Sequence, residues 1–467
     1  MGICQICYNR GMSIALLFIA LISLIFFAIR PIKIGGIVLN MVTVPLAVIF
    51  VLFVWGVIDY STLLSGFFGS GSIVPWEILL LFFSVAYVSI SADASGIFDW
   101  VAAKAISVVG GSGWKLFFFV FLFSSILTIL TSNDIVILTL TPIIFYLSRY
   151  AKINVIPLLF AQFYAANTAS MFFLIGNPTN IIVSNAFGFS FWEYVQVMGL
   201  PTIVALFVLA ALLVILFGHQ VTHRFELKRS IHFFLPSRTN ALISSVLLVG
   251  MLISLSVAHL ASLPLWFITL LFATLMLGKD LFRQYAHDII EKRHKRNYFQ
   301  RWFEKEYGSA RVIVRRMPTQ LFFFIAAMFI LVSGLNEVGI VDFFAKRLVQ
   351  FSIDLPTTIL SMGVLSAFLA NIINNQPMTI FLSHVLTSES FQRIPVLWQK
   401  GSAFALVIGS NLGANLTLLG ALAGLLWKDI LKEKGIIISY KDFLLKGLVI
   451  VPITLCASLL TLIFVLS

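Results

Sequence analysis

The sequence predicts an all-α polytopic membrane protein built from two inverted repeats, with about ten full transmembrane helices, two re-entrant hairpins and two broken helices. Three observations carry this. Apolar stretches reach the roughly 17–25 residues needed to cross a hydrocarbon core of about 30 Å. The chain of 467 residues is 60% hydrophobic and only 11% charged, whereas a soluble protein carries about 25% charge. A soluble enzyme of this length is therefore excluded. Finally, a pattern of polar interruptions in apolar sequence occurs twice.

Clear spans by length are 11–29, 36–57, 76–92, 198–218, 239–258, 263–278, 320–335 and 447–465. The first lacks a small-residue cleavage site and runs into Arg30-Pro31, so it is read as a membrane helix and not as a cleavable leader. Two regions, 114–183 and 357–427, are apolar but punctuated by Asn, Gly, Thr and Pro. Each is read as two half-length runs meeting at a polar knot, followed by a longer run with its own break. The first knot is Thr131-Ser132-Asn133-Asp134 and its break Gly176-Asn177-Pro178-Thr179-Asn180. The second knot is Asn374-Asn375-Gln376-Pro377 and its break runs from Gly409 through Asn411 to Asn415.

The repetition extends to the connecting segments. Gly96-Ile97-Phe98-Asp99-Trp100 recurs 243 residues later as Gly339-Ile340-Val341-Asp342-Phe343, and Ala103-Lys104 recurs 242 residues later as Ala345-Lys346. The predicted halves are 1–218, with hairpin 114–149 and broken helix 156–186, and 219–467, with linker 279–318, hairpin 357–386 and broken helix 402–427. Repeats with interrupted helices in matching positions point to a secondary transporter. Placing segment 93–115 in the cytoplasm, and letting the hairpins re-enter, puts about 26 of the 31 Lys and Arg inside, as the positive-inside rule requires. The two hairpins then enter from opposite faces. Asp99 and Asp342 fall in amphipathic interfacial arms, and Trp55, Trp76, Trp100, Trp114, Trp192, Trp398 and Trp427 near span ends read as an aromatic belt. The linker, with Glu291-Lys292-Arg293-His294-Lys295-Arg296, is a basic juxtamembrane loop, an interfacial helix on anionic lipid, or a dock for a cytoplasmic ATPase.

Broken helices at membrane depth leave backbone N–H and C=O groups without helical partners, which is tolerated where they line a cavity or meet a ligand. The expected substrate or ion site therefore comprises Ser132, Asn133, Asp134, Gly176, Asn177, Thr179, Asn180, Asn374, Asn375, Gln376, Gly409, Asn411 and Asn415. Nearly all the side chains are neutral amides or hydroxyls that donate and accept. The alternative is that they only satisfy kinked backbone and cement helix packing. Asp134 is the one Asp, Glu, Lys or Arg within 116–148, 156–183, 360–385 and 402–426. An ionisable group there is costly and by default functional: it carries the coupling proton, helps ligate Na⁺, or caps the second arm of the hairpin. His384 reads as interfacial. No His pair or Glu cluster supports an enzyme, and no cofactor or nucleic-acid partner is expected. Cys4 and Cys7 form a lone C-x-x-C that specifies neither metal nor redox chemistry.

These residues resemble a known group. Ala94 to Trp100, Ser132-Asn133-Asp134 with Leu138-Thr139-Leu140-Thr141-Pro142-Ile143, Asn167-Thr168-Ala169-Ser170, Asn180-Ile181-Ile182-Val183, Asn374 to Pro377, Gly409 to Gly420 and Leu425-Leu426-Trp427 are similar to the ion transporter superfamily. Within it they most resemble the membrane component of bacterial arsenical (arsenite/antimonite) efflux pumps. The resemblance implies that Asn133, Asp134, Asn374 and Asn375 are hairpin-tip residues of a central site served by an elevator-like motion in a bacterial inner membrane. It implies proton-coupled efflux of arsenite-like solutes. A cation-coupled citrate- or dicarboxylate-like permease and a Na⁺/H⁺ antiporter stay open, as do the coupling ion (H⁺ or Na⁺) and a homodimeric state.

Overall fold

A computed structural model describes residues 32–34, 37–40, 42–69, 71–98, 100–101, 111–221, 224, 237–293 and 309–467. Span 11–29, Asp99, Cys4, Cys7 and residues 294–308 of the linker, with Tyr298, Phe299, Trp302 and Phe303, lie outside these residues. The described residues begin with a two-stranded antiparallel hairpin, β1 (Ile32–Ile34) and β2 (Ile37–Leu39). Short helices α1 (Thr43–Val54) and α2 (Tyr60–Phe68) follow. The predicted span 36–57 is thus corrected. The Asn40 carboxamide oxygen accepts the N–H groups of Val42 and Thr43 and starts the helix late. Its 12 residues reach only about 18 Å at 1.5 Å per residue, too short for a crossing.

The remainder falls into two similarly ordered halves. The first comprises α3 (Pro75–Ala94), α4 (Gly113–Leu130), α5 (Asn133–Ala151), α6 (Ile156–Ala169), α7 (Pro178–Phe187) and α8 (Phe191–Phe217). Then come α9 (Arg238–Val257), α10 (Leu265–Arg293) and α11 (Ala310–Arg316). The second half comprises α12 (Thr319–Glu337), α13 (Ile340–Phe351), α14 (Leu355–Ile373), α15 (Asn375–Leu386), α16 (Val396–Gly413), α17 (Leu422–Glu433) and α18 (Tyr440–Leu466). Gly339, just before α13, and its sequence counterpart Gly96 both adopt positive φ, 82° and 80°. Such a turn is open to glycine at little cost.

Eight helices among the described residues are long and apolar enough to cross a membrane, so the protein is a multi-pass membrane protein. Two of the eight, α4 and α14, are the first arms of the hairpins. Those arms, of 18 and 19 residues, are not half-length as the sequence suggested. The polar knots come at the ends of full-length helices. The predicted span 263–278 is the first part of α10, which continues to Arg293.

The halves hold each other. Within each, the first hairpin arm packs on the helix before the break, α4 on α6 and α14 on α16. Between them, the second arm of each hairpin packs on the helix after the other half's break, α5 on α17 and α15 on α7, and the last helices α8 and α18 pair. An aromatic cluster of Phe160, Phe163, Tyr164, Phe443 and Trp427 seats α17 against α6 and α18. Trp427 is fully buried there, which corrects its assignment to an interfacial belt.

The tightest seam is between α14 and α16. A Cβ on Gly409 would lie 2.5 Å from the Gly363 carbonyl oxygen, and one on Gly413 would lie 2.5 Å from Ala367 Cα. This is the small-residue spacing that lets membrane helices approach closely. Gly409→Ala is expected to destabilise the protein by about 1–3 kcal/mol through overpacking. Gly278→Ala, where a Cβ meets nothing within 4 Å, should be neutral. Thermal unfolding of the purified variants in detergent checks the contrast.

Candidate functional site

The first hairpin turns through Thr131 and Ser132, the second through Asn374 alone. Asn374 sits at φ 68°, ψ 150°, a conformation disfavoured for a residue with a side chain. Its carboxamide holds the turn: Oδ1 accepts from Gln376 N–H (3.3 Å) and Nδ2 donates to the Leu419 carbonyl (3.2 Å). The Asn375 N–H donates to the Gly420 carbonyl at 2.9 Å. The second tip is thereby tied to the second break.

That break spans 414–421, between α16 and α17. It lies beyond the Gly409–Gly413 stretch that the sequence reading included. Gly409 and Asn411 are helical, and Gly409 serves helix packing. Asn371, on α14, caps the interrupted helix: Nδ2 donates to the Ala367 and Gly413 carbonyls, both at 2.8 Å, while Oδ1 accepts from Thr417 Oγ1 at 2.7 Å. The first break folds back on the end of α6. Asn180 Nδ2 donates to the carbonyls of Ser170 (2.8 Å) and Phe173 (3.1 Å). Gly176 permits that return, since a Cβ there would lie 2.2 Å from the Ser170 oxygen. Asn177 then caps α7, accepting from Thr179 N–H, with Pro178 in the first turn, where its missing N–H is no loss.

The breaks are joined by a buried amide network. Asn411 Oδ1 accepts from Ser170 Oγ (2.8 Å) and Asn177 Nδ2 (2.9 Å), and Asn411 Nδ2 donates to Asn180 Oδ1 (2.8 Å). A second chain runs from the first hairpin tip: Asn133 Nδ2 donates to Asn167 Oδ1, and Asn167 Nδ2 to Asn415 Oδ1, each at 3.0 Å. Asn133, Asn177, Thr179, Asn180, Asn411 and Asn415 therefore share one buried region, held by bonds between the halves. Asn167, Ser170 and Asn371 belong to the network and were not among the predicted site residues. Asn167 and Ser170 stood in the Asn-Thr-Ala-Ser stretch that the resemblance already quoted. Asn371 had no signal beyond a polar residue one helical turn before the second tip.

Not every polar atom is engaged. The amide oxygens of Asn375 and Gln376 are buried without a hydrogen-bond partner. Asp134 is half-buried, and among the described residues its carboxylate has no hydrogen-bond or ion-pair partner. It does not cap its helix. Ser132 occupies the N-cap position without a side-chain cap bond, and Asn133 Oδ1 accepts the Asp134 N–H at 2.9 Å. The capping alternative for Asp134 is thus corrected. The tips accordingly present three acceptor groups with spare capacity, in a region where the amide donors of Asn133, Asn167, Asn177, Asn180 and Asn411 are committed to carbonyls and neighbouring amides. His384 lines a separate cavity of about 150 Å³ with Ser65, Ser333, Asn336 and Thr387, and its Nε2 is buried without a partner.

Against known proteins, the profile of the citrate transporter family matches residues 18–399. An arsenical pump membrane protein of Escherichia coli is 26% identical over 407 residues, covering 84% of this chain and 88% of that protein. A putative arsenical pump membrane protein of Bacillus subtilis is 25% identical, covering 81% of this chain and 85% of that protein. A 46 kDa membrane protein of Mycobacterium leprae is 26% identical, covering 82% and 84%. In architecture the chain is similar to the YdaH transporter of Alcanivorax borkumensis, with a TM-score of 0.55, 97% of each chain covered and 12% identity. That likeness concerns the fold alone.

The network separates two kinds of amide. Asn411→Ala removes an acceptor shared by two donors and a donor to Asn180, and should cost about 1–3 kcal/mol for the groups left unpaired. Asn375→Ala removes an oxygen that has no partner, and should unfold near the wild-type temperature. Equal destabilisation of the two variants in a thermal assay would contradict this division.

Proposed function

The chain belongs to the citrate transporter family and is a secondary transporter, and from that premise we propose that it exports arsenite- and antimonite-like metalloid solutes in exchange for protons. The observation that carries this reading is the set of uncommitted acceptors at the two tips, Asn375 Oδ1, Gln376 Oε1 and the Asp134 carboxylate. The stretches 116–148, 156–183, 360–385 and 402–426 around them contain no Lys, Arg or Cys. Arsenite near neutral pH is largely a neutral trihydroxide, whose three O–H groups donate to such acceptors. Capture by several thiolates has no residues to perform it there.

Asp134 is the proton carrier in this reading. Exposed to one side it binds a proton; exposed to the other it releases it, and the solute occupies the site when the proton does not. The four elements of each half that carry the site, α4–α7 and α14–α17, clasp one another across the halves. This supports an elevator-type movement of that unit against the remaining helices, with the hairpins entering from opposite faces.

A cation-coupled carboxylate permease is the second reading, favoured by the family profile. The same acceptors would then ligate Na⁺, and the bound cation and helix N-termini would supply the positive field that the absent Lys and Arg do not. A Na⁺/H⁺ antiporter uses the acceptors in the same way without a solute.

Proteoliposomes containing a pH dye separate the three. An arsenite gradient is expected to drive proton movement with the wild-type protein, and Asp134→Asn to abolish it, at least tenfold, without loss of folded protein. A response to citrate or succinate alone, or to Na⁺ alone, would overturn the arsenite reading in favour of the corresponding alternative.

A further inference from the structure

A larger cavity, of about 360 Å³, lies at the end of the helix bundle where α3 begins, α7 ends and α9 turns into α10. It reaches the first break only through Leu174 and Ile181, and it is lined by different chemistry from the amide network. Its volume and largely apolar walls match small-molecule sites, which are typically about 300–1,000 Å³ with a few placed polar groups. Aromatic walls come from Trp266, Phe189 and Phe191, and Trp266 is held edge-on by Trp76 at a centroid distance of 5.2 Å.

Among the described residues Glu77 is the one acidic side chain on this wall, and no Lys or Arg lines it. Its Oε2 receives only a long bond from Asn185 Nδ2, at 3.4 Å. Among the described residues it has no ion-pair partner. Two further lining groups, Ser184 Oγ and Trp266 Nε1, are buried with no hydrogen-bond partner. A carboxylate without an ion-pair partner and an indole lining one cavity are the combination that attracts an organic cation, because the ring quadrupole and the carboxylate can act on the same charge. The two unpartnered groups suit an oxygen acceptor on the cation's apolar body.

We propose that this cavity binds a small organic monocation, an alkylammonium with an apolar or aromatic body, with its charge between Glu77 and Trp266. A free amine and an ammonium lipid headgroup share that chemistry. The occupant touches α7, which carries the first break, as well as α3 and the α9–α10 turn, so it bridges the site-bearing helices to their neighbours. The inference does not depend on which solute is transported.

The test is equilibrium binding of phenyltrimethylammonium to the purified full-length protein in detergent, with its neutral isostere tert-butylbenzene as comparison. The wild type should bind the cation at least tenfold more tightly than the isostere, and Glu77→Gln should remove that preference. Leu263→Trp, which fills the cavity from its exposed edge, should abolish binding even if Glu77→Gln proves unstable. Equal binding of cation and isostere, or cation binding unchanged in Leu263→Trp, would overturn the proposal. Displacement of the cation by phosphatidylethanolamine and not by phosphatidylglycerol would assign the ammonium to a lipid; displacement by neither would assign it to a free amine. Because the assay involves no transport, its failure is distinct from failure of the metalloid reading.

Discussion

The constraint on which the rest of this structure depends is that a helix interrupted inside a membrane must find partners for its freed backbone groups without water. An unpaired peptide group in hydrocarbon costs several kcal/mol, comparable to a large share of a protein's whole stability. The chain meets this with asparagine. Asn371 caps the end of α16 through the Gly413 carbonyl, and Asn180 caps the end of α6 through the carbonyls of Ser170 and Phe173. Asn177 and Asn374 start the helices that follow. The amides that mark the breaks in the sequence are therefore first of all the structural means by which the breaks exist. Function is left to whatever capacity remains after that demand is met.

The same demand explains why the two halves are exchanged. Asn411 of the second half sits among Ser170, Asn177 and Asn180 of the first, and Asn415 takes its bond from Asn167. A break satisfied only by its own repeat would need its partners on a neighbouring turn of the same interrupted chain. Opposing two breaks gives each a fixed surface of donors and acceptors. The clasp of α5 on α17 and α15 on α7 follows from that opposition, and it makes the site-bearing helices of both halves one packed unit.

Much of this was legible in the sequence, because hydrophobic length and polar interruption are strong signals in a membrane chain. The knots fell at the hairpin turns, and Gly96 and Gly339 marked matching bends. The errors have physical causes. Gly409 and Gly413 are four apart on one helix face and allow α14 to approach, but a run of Gly, Ser and Asn looks the same whether it thins a helix or ends it. In 36–57 the apolar composition said span, while the short-range bonds of Asn40 set a late helix start that hydropathy averaging cannot register. Trp427 sits beside Lys428 at a helix end, as belt residues do, yet it is buried by aromatic partners from α6 and α18 that lie far away in sequence. Asn371 is recognised only once the hairpin is folded onto the break.

Charge is distributed with the same economy. The helices outside the hairpins and breaks hold buried ion pairs: Asp280 accepts from Tyr87, Ser91 and Lys279, and Asp93 pairs with Arg316. These groups link α3 to α10 and to the short helix α11, and each charge has a partner that moves with it. The interior of the site-bearing unit has Asp134 alone. Carrying a fixed ion pair through a low-dielectric layer gains nothing when both members travel, and separating its members is prohibitive. A unit with one unpaired carboxylate has no pair to break. Its passage is expensive when ionised and cheap when protonated or when a bound cation compensates it. In the proposed cycle the proton removes that cost on one passage, and on the other the O–H groups of the bound trihydroxide stand in for water around the ionised carboxylate; movement of the empty, ionised site is then the costly event, so the coupling of the two fluxes resides in the solitude of Asp134 as much as in its chemistry.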